Sequence, residues 1–369
     1  MIVKLGDIAR ECKCTTENKD CPIVGLEHLE PKELLLKNYS SDPNTTFTKS
    51  FKAGQILFGR RRSYQQKASV ATFDGICSGD IIVIEAIPEK IEPRLLPFII
   101  QNEAFFNYSI IGSAGGLSPR VKWQHLANYE FELPSLDEQR VLADKLWAAY
   151  EVKESYKNLL AQTDKLLHAQ FEKMFGKETG NNKKIIGDIG EVITGNTPST
   201  KEPRNYESND VCFYKPSDFE DSSLTKLSDS EYHISRYAYE HSRKLPKDSV
   251  LTTCIGIIGK VGILKHDATC NQQINAIIPN KSVIHPVYLG HVLLYSQSLL
   301  NDTANTNIVP LLNKTDFSAI EIPVPPMKKQ LEFVHIAEQA EQTKASLNKG
   351  IEAIEAVIRS LIAESTTKV

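Results

Sequence analysis

The sequence predicts an α+β protein: two homologous α/β domains joined by two long helices in an antiparallel coiled coil, with a pseudo-two-fold internal repeat. Three observations predict it. Short motifs recur in one order at a period near half of the 369 residues. A long amphipathic segment without internal proline closes each half, and short β-branched runs precede each of these segments.

Lys4-Leu5-Gly6-Asp7-Ile8 opens the first half and Ile185-Ile186-Gly187-Asp188-Ile189 the second. Gly54-Gln55-Ile56-Leu57 is echoed by Asp248-Ser249-Val250-Leu251. Lys67, Asp74 and Cys77 match Lys260, Asp267 and Cys270 at one constant offset; Glu130, Pro134 and Gln139 match Glu321, Pro325 and Gln330 at another. Residues 80–84 and 275–278 read as strands, and residues 97–101 and 286–294 as apolar helices opened by proline. After Pro134, Leu142, Leu146, Ala149, Val152, Tyr156, Leu159, Thr163 and Leu166 recur at steps of three and four. After Pro326 the same rhythm runs through Ala337, Ala340, Lys344, Leu347, Ile351, Ile354, Ile358 and Leu361, a heptad from Ala340 onward. Each pattern covers about forty residues, roughly 60 Å of helix, which suits a spacer more than a core helix. Each stripe supplies the other with a facing mate. Gly176 stops the first helix, and a linker follows. The expected boundaries are a first domain at 1–133, helix and linker at 134–180, a second domain at 181–322 and the second helix at 323–369.

A formal charge of -3 and a pI near 6.3 exclude a polycation that coats nucleic acid by bulk electrostatics. The two domains are also balanced, with 16 Lys+Arg against 16 Asp+Glu in residues 1–133 and 14 against 16 in residues 181–322. Apolar runs are too short for a membrane span. The N-terminus lacks a signal-peptide pattern and the 7 cysteines are scattered, so free thiols in a cytoplasm are expected. Cys12, Cys14 and Cys21 lack a well-spaced fourth ligand, and no metal site is expected. No P-loop, G-x-G-x-x-G, H-E-x-x-H or G-x-S-x-G motif occurs, and no Asn/Asp-Pro-Pro-aromatic loop of adenine methyltransferases. Asp7, Glu11 and Lys13 are too closely spaced for a nuclease metal site. No catalytic residue and no cofactor is expected in this chain.

A ligand that is itself bipartite suits a duplicated protein, and DNA is such a ligand. In the first half Arg60, Arg61, Arg62, Ser63, Tyr64, Gln65, Gln66 and Lys67 form one polar loop. Arg pairs bidentately with guanine and Gln with adenine, whereas Lys and Ser suit phosphates. Lys67 is expected on a phosphate, because Lys260 occupies the matching place. A second loop carries Gly115, Gly116, Ser118, Arg120 and Lys122. The counterparts in the second half are Thr194, Asn196, Lys260, Asn271, Gln272, Gln273 and Asn305. The loops differ between halves while the framework agrees, as expected if each half reads a different sequence.

Taken in order, Gly6-Asp7-Ile8, Leu133-Pro134 with Glu138-Gln139, Gly187-Asp188-Ile189, Thr194-Gly195-Asn196-Thr197-Pro198 and Val324-Pro325 with Gln330 resemble the specificity (S) subunits of Type I restriction-modification systems, the HsdS family. The resemblance covers essentially the whole chain. It departs at the second helix, which opens with Lys329-Gln330 where the first has Glu138-Gln139. The resemblance implies a non-catalytic subunit that binds double-stranded DNA with two target-recognition domains in inverted orientation, one per half of a split site. It implies two modification (M) subunits, which carry S-adenosylmethionine and methylate adenine N6. Restriction (R) subunits that use ATP and Mg to translocate and cleave would join them, in the cytoplasm of a bacterium or archaeon. The helices would act as ruler and docking surface. Two other classes stand beside this reading: a coiled-coil scaffold joining two protein-binding domains, and a fragment of a fused methyltransferase-nuclease, which the absent catalytic motifs disfavour.

Overall fold

The computed structural model describes residues 1–113, 119–176, 182–305 and 309–365. The chain divides into two compact units, Met1–Asn158 with Leu347–Val369, and Leu159–Ser346.

The first unit carries β1 (Ile2–Lys4), β2 (Ala9–Cys12), β3 (Ile23–Val24), β4 (Lys49–Phe51), β5 (Ile56–Gly59), β6 (Ala68–Val70), β7 (Gly75–Cys77), β8 (Ile81–Ala86) and β9 (Glu130–Glu132). The main sheet runs in the order β2-β8-β5-β6 and a smaller one in the order β3-β7-β4, while β1 pairs with β9. The run Ile81-Ile82-Val83-Ile84 is apolar throughout because the main sheet is covered on both faces. Ile82 and Ile84 face one core together with Ile56 and Phe58. Ile81 and Val83 face the other with Leu57. The two-residue period of a strand thus sorts one sequence run between two layers. Helices Leu96–Ile100 and Glu103–Ile111 cover the first face, with Phe105 edge-on to Phe58 at 5.8 Å.

The second unit carries β10 (Lys183–Ile185), β11 (Gly190–Thr194), β12 (Val211–Tyr214), β13 (Thr225–Leu227), β14 (His233–Ile234), β15 (Val250–Thr253), β16 (Val261–Leu264), β17 (Thr269–Cys270), β18 (Ile274–Pro279) and β19 (Glu321–Pro323). Its main sheet is β11-β18-β15-β16-β13, its smaller sheet β14-β12-β17, and β10 pairs with β19. Val250 and Ile277 face the helix-covered core, while Leu251 and Ala276 face the smaller sheet. The units differ at the smaller sheet. In the first the third strand, β4, lies beside β7; in the second, β14 lies beside β12. No helix among the described residues is long and apolar enough to cross a membrane.

The long helices are α1 (Leu136–Phe175) and α2 (Met327–Ser365), and each is built into the cores. In the first unit Leu142, Ala143, Leu146 and Tyr150 of α1 share a core with Ile362 of α2. Lys153 lies 3.5 Å from Glu355, and a Cβ at Gly350 would overlap the Tyr156 ring. In the second unit Phe171 and Phe175 of α1 pack on Phe333 of α2, with centroids 5.3 and 5.8 Å apart. Lys344 there bridges Asp164 and Glu341, each at 2.9 Å. Partners thus descend along α2 as they climb α1, so the helices pack antiparallel within each unit.

The stripe expected on α2 is the one that is buried or half-buried, from Ala337 to Leu361. On α1 the expected stripe drifts off the true one. Val152, Leu159 and Leu166 are exposed, and the buried face passes instead through Lys153, Leu167, Phe171 and Phe175. Hydrophobicity misplaces it because the contact face in mid-helix is polar: Lys153, Glu154, Lys157 and Asp164 carry ion pairs there. The helices are therefore core elements as well as rods. Positions 134 and 323 mark the approach to them, and the division between compact units falls inside both.

The matched glutamines Gln139 and Gln330 open these helices, and both are buried. Gln139 accepts from the Glu92 amide at 2.9 Å and donates to the Pro134 carbonyl at 2.8 Å. Gln330 accepts from the His285 amide at 2.8 Å and donates to the carbonyls of Val283 and Pro325 at 3.0 and 2.8 Å. Each ties its helix to the segment before an apolar helix. Gln330→Ala should cost about 2 kcal/mol in urea unfolding, because buried backbone groups lose their partner. An unchanged midpoint would show that water replaces the amide.

Candidate nucleic-acid interface

In both units the hairpin of the main sheet meets a distant loop, and the same backbone bonds join them. In the first unit the hairpin lies between β5 and β6, closed by Gly59 N to Lys67 O at 2.9 Å. Arg62 N donates to Pro119 O and Val121 N to Arg60 O, both at 3.0 Å, and Arg61 bridges Arg120. In the second unit the hairpin lies between β15 and β16, closed by Thr253 N to Lys260 O at 3.0 Å. Gly256 N donates to Pro310 O at 3.0 Å and Leu312 N to Cys254 O at 2.9 Å, and Ile255 bridges Leu311. A third element joins each pair: Arg60 N donates to Asp80 O at 3.0 Å, and Cys254 N to Gln273 O at 2.8 Å.

The first hairpin turns through a 3-10 turn, Ser63–Gln65, flanked by Arg62 at φ 56° and Gln66 at φ 53°. Left-handed backbone at non-glycine residues costs on the order of 1 kcal/mol each, and such strain concentrates at functional loops. Arg62 and Tyr64 are exposed, Tyr64 by 57%. Arg60, Arg61, Gln65 and Gln66 are half-buried. Arg60 Nε and the hydroxyl of buried Ser63 have no hydrogen-bond partner among the described residues. Asp80 organises the cationic face: Arg120 holds its two oxygens at 2.7 and 3.3 Å, and Arg61 Nη1 stands 3.6 Å away. The Arg120 hydrogen bond keeps this carboxyl below the usual carboxylate range. Lys122 is exposed beside Arg120. Gly115, Gly116 and Ser118 lie outside the described residues.

The second surface is different in chemistry. Its hairpin tip is Gly256-Ile257-Ile258-Gly259, with the two glycines at φ 76° and 91°. Ile257 is 64% exposed at that tip, and Val309 and Leu311 are exposed on the loop beside it. The turn 271–273 adjoins the hairpin. There Asn271 is buried and donates to Gln273 Oε1 at 2.8 Å, and Gln272 Oε1 accepts from Thr197 Oγ1 at 2.5 Å. Thr194 donates to Asn275 at 2.7 Å, and Asn196 accepts from the Arg243 amide at 3.0 Å. Asn305 pairs its backbone with Leu311 in both directions, at 2.9 and 3.0 Å, and its side chain is exposed. The Cys254–Gln273 bond and the Ile255–Leu311 and Asn305–Leu311 bridges thus place the turn 271–273 and Asn305 beside the hairpin.

Three of these residues carry structural duties. Lys67 donates to the Leu26 carbonyl at 2.8 Å, which ties its ammonium to the fold. Lys260 donates to the Phe219 carbonyl at 3.3 Å and pairs with Asp221 at 2.5 Å. This shared place thus pins the segment that follows β3 or β12, a structural duty common to the two halves. Asn271 likewise shapes its turn. Sequence reasoning passed over Asp80, Ile257 and Leu311. The constant offset that matched Lys67 to Lys260 also matches Asp80 to Gln273, which was the available signal for Asp80. Nothing in an apolar hairpin tip distinguishes it from core.

A family model for the Type I restriction modification DNA specificity domain matches residues 1–162 and 179–356. The Type I restriction enzyme MjaIX specificity subunit of Methanocaldococcus jannaschii is 30% identical over 182 residues, which is 48% of this chain and 42% of that protein. The EcoBI specificity subunit of Escherichia coli is 24% identical over 313 residues, 72% of this chain and 65% of that one. The chain thus spans less than two thirds of the length of these curated relatives. The crystal structure of a Type I restriction-modification S subunit from M. genitalium shares the fold, with a TM-score of 0.58 at 13% identity, covering 100% of this chain and 96% of that one.

Proposed function

Because the chain belongs to the Type I restriction modification DNA specificity family, we propose that each unit reads one half of a bipartite double-stranded DNA site with its bridged hairpin and loop. The observation that carries this is the recurrence of one backbone arrangement with different side chains at its tip. A fixed frame with variable tips is what two readers of different sequences require. In the first unit the guanidinium groups of Arg60, Arg61 and Arg62 with Gln65 supply donors for base edges, and Arg120 and Lys122 supply charge for phosphates. In the second unit Gln272, Asn305 and the exposed Ile257 take these places, Ile257 suiting a thymine methyl. The long helices act together as an antiparallel coiled coil that sets the spacing of half-sites under a pseudo-two-fold arrangement. The chain contributes no catalytic group and no cofactor in this reading. Two M subunits bring S-adenosylmethionine, and R subunits bring ATP and Mg, in a bacterial or archaeal cytoplasm.

The test is to co-express the chain with its M subunit and sequence methylated adenines, before and after exchanging residues 181–322 for the second domain of a relative. One half of the methylated motif should change and the other persist. If both halves changed together, one unit per half-site would be wrong.

For the second surface, Ile257→Ser should weaken cognate binding by about 1–3 kcal/mol, the size of one mismatched base pair. Replacing one thymine of the second half-site by uracil, which removes only the methyl, should reproduce that loss with the unaltered protein. Equal binding to every uracil-substituted duplex would remove the methyl contact.

A further inference from the structure

We propose that the second unit holds a divalent transition-metal ion of the zinc class on Cys212, Asp229 and His233, with His266 as fourth ligand. Cys212 on β12 lies directly across from His233 on β14 in the antiparallel ladder. Asp229 comes from the segment between β13 and β14, and His266 from the turn after β16. The donor atoms of Cys212, Asp229 and His233 lie within 4.8 Å of one another.

The separations fit a coordination polyhedron. Cys212 Sγ is 3.6 Å from His233 Nε2 and 3.7 Å from Asp229 Oδ1, and His233 Nε2 is 3.2 Å from that oxygen. A tetrahedron with Zn–S near 2.3 Å and Zn–N or Zn–O near 2.0–2.1 Å has S···N or S···O edges of about 3.5–3.6 Å and an N···O edge of about 3.3 Å. An ion would therefore fit among the three with little movement. His266 Nε2 is 3.8 Å from the sulfur but lies outside the group whose donors are all within 4.8 Å of one another, so it reaches the ion only after its side chain turns inward. Its Nδ1 lies 3.2 Å from the Asp267 carbonyl, the kind of outer contact that fixes a metal-binding imidazole tautomer. Its Nε2 also lies 3.0 Å from the Ser228 carbonyl, a contact that coordination would replace. Cys212 is buried, so a thiolate there needs a cation beside it. One thiolate, two imidazoles and one carboxylate make a borderline donor set, which favours zinc over magnesium or calcium.

The ion's role is structural: it clips the segment before β14, and β14 itself, to β12. The strand registers place Pro22 where the second unit has Cys212, so the site belongs to this unit alone. No contiguous motif announces it, since the donors are spread from 212 to 266.

The experiment uses the full chain, loaded with Zn2+ and dialysed, with metal counted per chain and Co2+ then exchanged in. About one ion per chain is expected, and the Co2+ form should show a thiolate charge-transfer band with the intense visible bands of a tetrahedral site. Cys212→Ser should abolish the charge-transfer band. Asp229→Asn, at an exposed position that leaves the core intact, should weaken Zn2+ binding at least about tenfold. The combined Cys12→Ser, Cys14→Ser and Cys21→Ser variant should retain both metal and band. Zn2+ content below about 0.1 per chain would overturn the proposal, as would a charge-transfer band that survives Cys212→Ser.

Discussion

Replacing Arg60, Arg61, Arg62 and Gln65 together by alanine is expected to erase preference in the first half-site and leave the second intact. A bidentate side chain contributes about 1–3 kcal/mol of discrimination. Losing even two good ones, about 2 kcal/mol at the lower bound, lowers cognate affinity at least about 30-fold. The hairpin should keep its shape, because backbone bonds to Pro119, Asp80 and Lys67 define it and none of the four side chains belongs to the apolar cores. The measurement is complex formation with the M subunit on cognate and single-substituted duplexes at two salt concentrations, alongside a thermal melt. Two single variants separate base reading from charge and from folding. Lys122→Ala, at an exposed position, should weaken binding to every duplex and flatten the salt dependence by about one unit, as loss of a phosphate contact does. Lys67→Met should leave the salt slope alone and lower stability by about 1 kcal/mol, since its ammonium serves the Leu26 carbonyl. Cognate preference that survives the fourfold substitution would make this hairpin only a solvated face.

The second unit should lose about 3 kcal/mol of stability as pH falls from 6.5 to 4, through His291 alone. This residue is 4% exposed on helix Pro286–Tyr295, edge-on to Phe333 at 5.2 Å. Burial pushes its pKa down to about 4, with Lys344 adding to the shift and Glu341 opposing it. Above pH 6.5 both folded and unfolded forms are neutral and the group contributes nothing to the balance. Between 6.5 and 4 the unfolded chain takes up a proton that the folded chain refuses, so stability declines with falling pH across that window. Urea unfolding at pH 7, 5.5 and 4.5 measures it against His291→Phe, which keeps a ring in the aromatic cluster. Carboxylates contribute equally to both proteins, so the difference isolates the histidine. Identical pH profiles would show that His291 is protonated in the fold.

The repeat, the α+β class, the two long helices and the polar hairpin of the first half were legible in the sequence. They rest on local rules: apolar runs bounded by turns, proline at helix starts, and order preserved between halves. The placing of the α1 stripe was not legible. A helix face in mid-rod is set by what lies opposite, and opposite Lys153 and Asp164 are Glu355 and Lys344. The loops' adjacency, Arg61 against Arg120 and Ile255 against Leu311, depends on strand pairing across many residues of chain. Such pairing has no periodicity to read. For the same reason Lys67 looked like a free cation until Leu26 was found beneath it. Cys212, Asp229, His233 and His266 looked unrelated until β14 was seen to lie against β12. Local chemistry fixed which elements form and where each half begins; long-range pairing alone decided which side chains meet, because their separation along the chain carries no information about their separation in space.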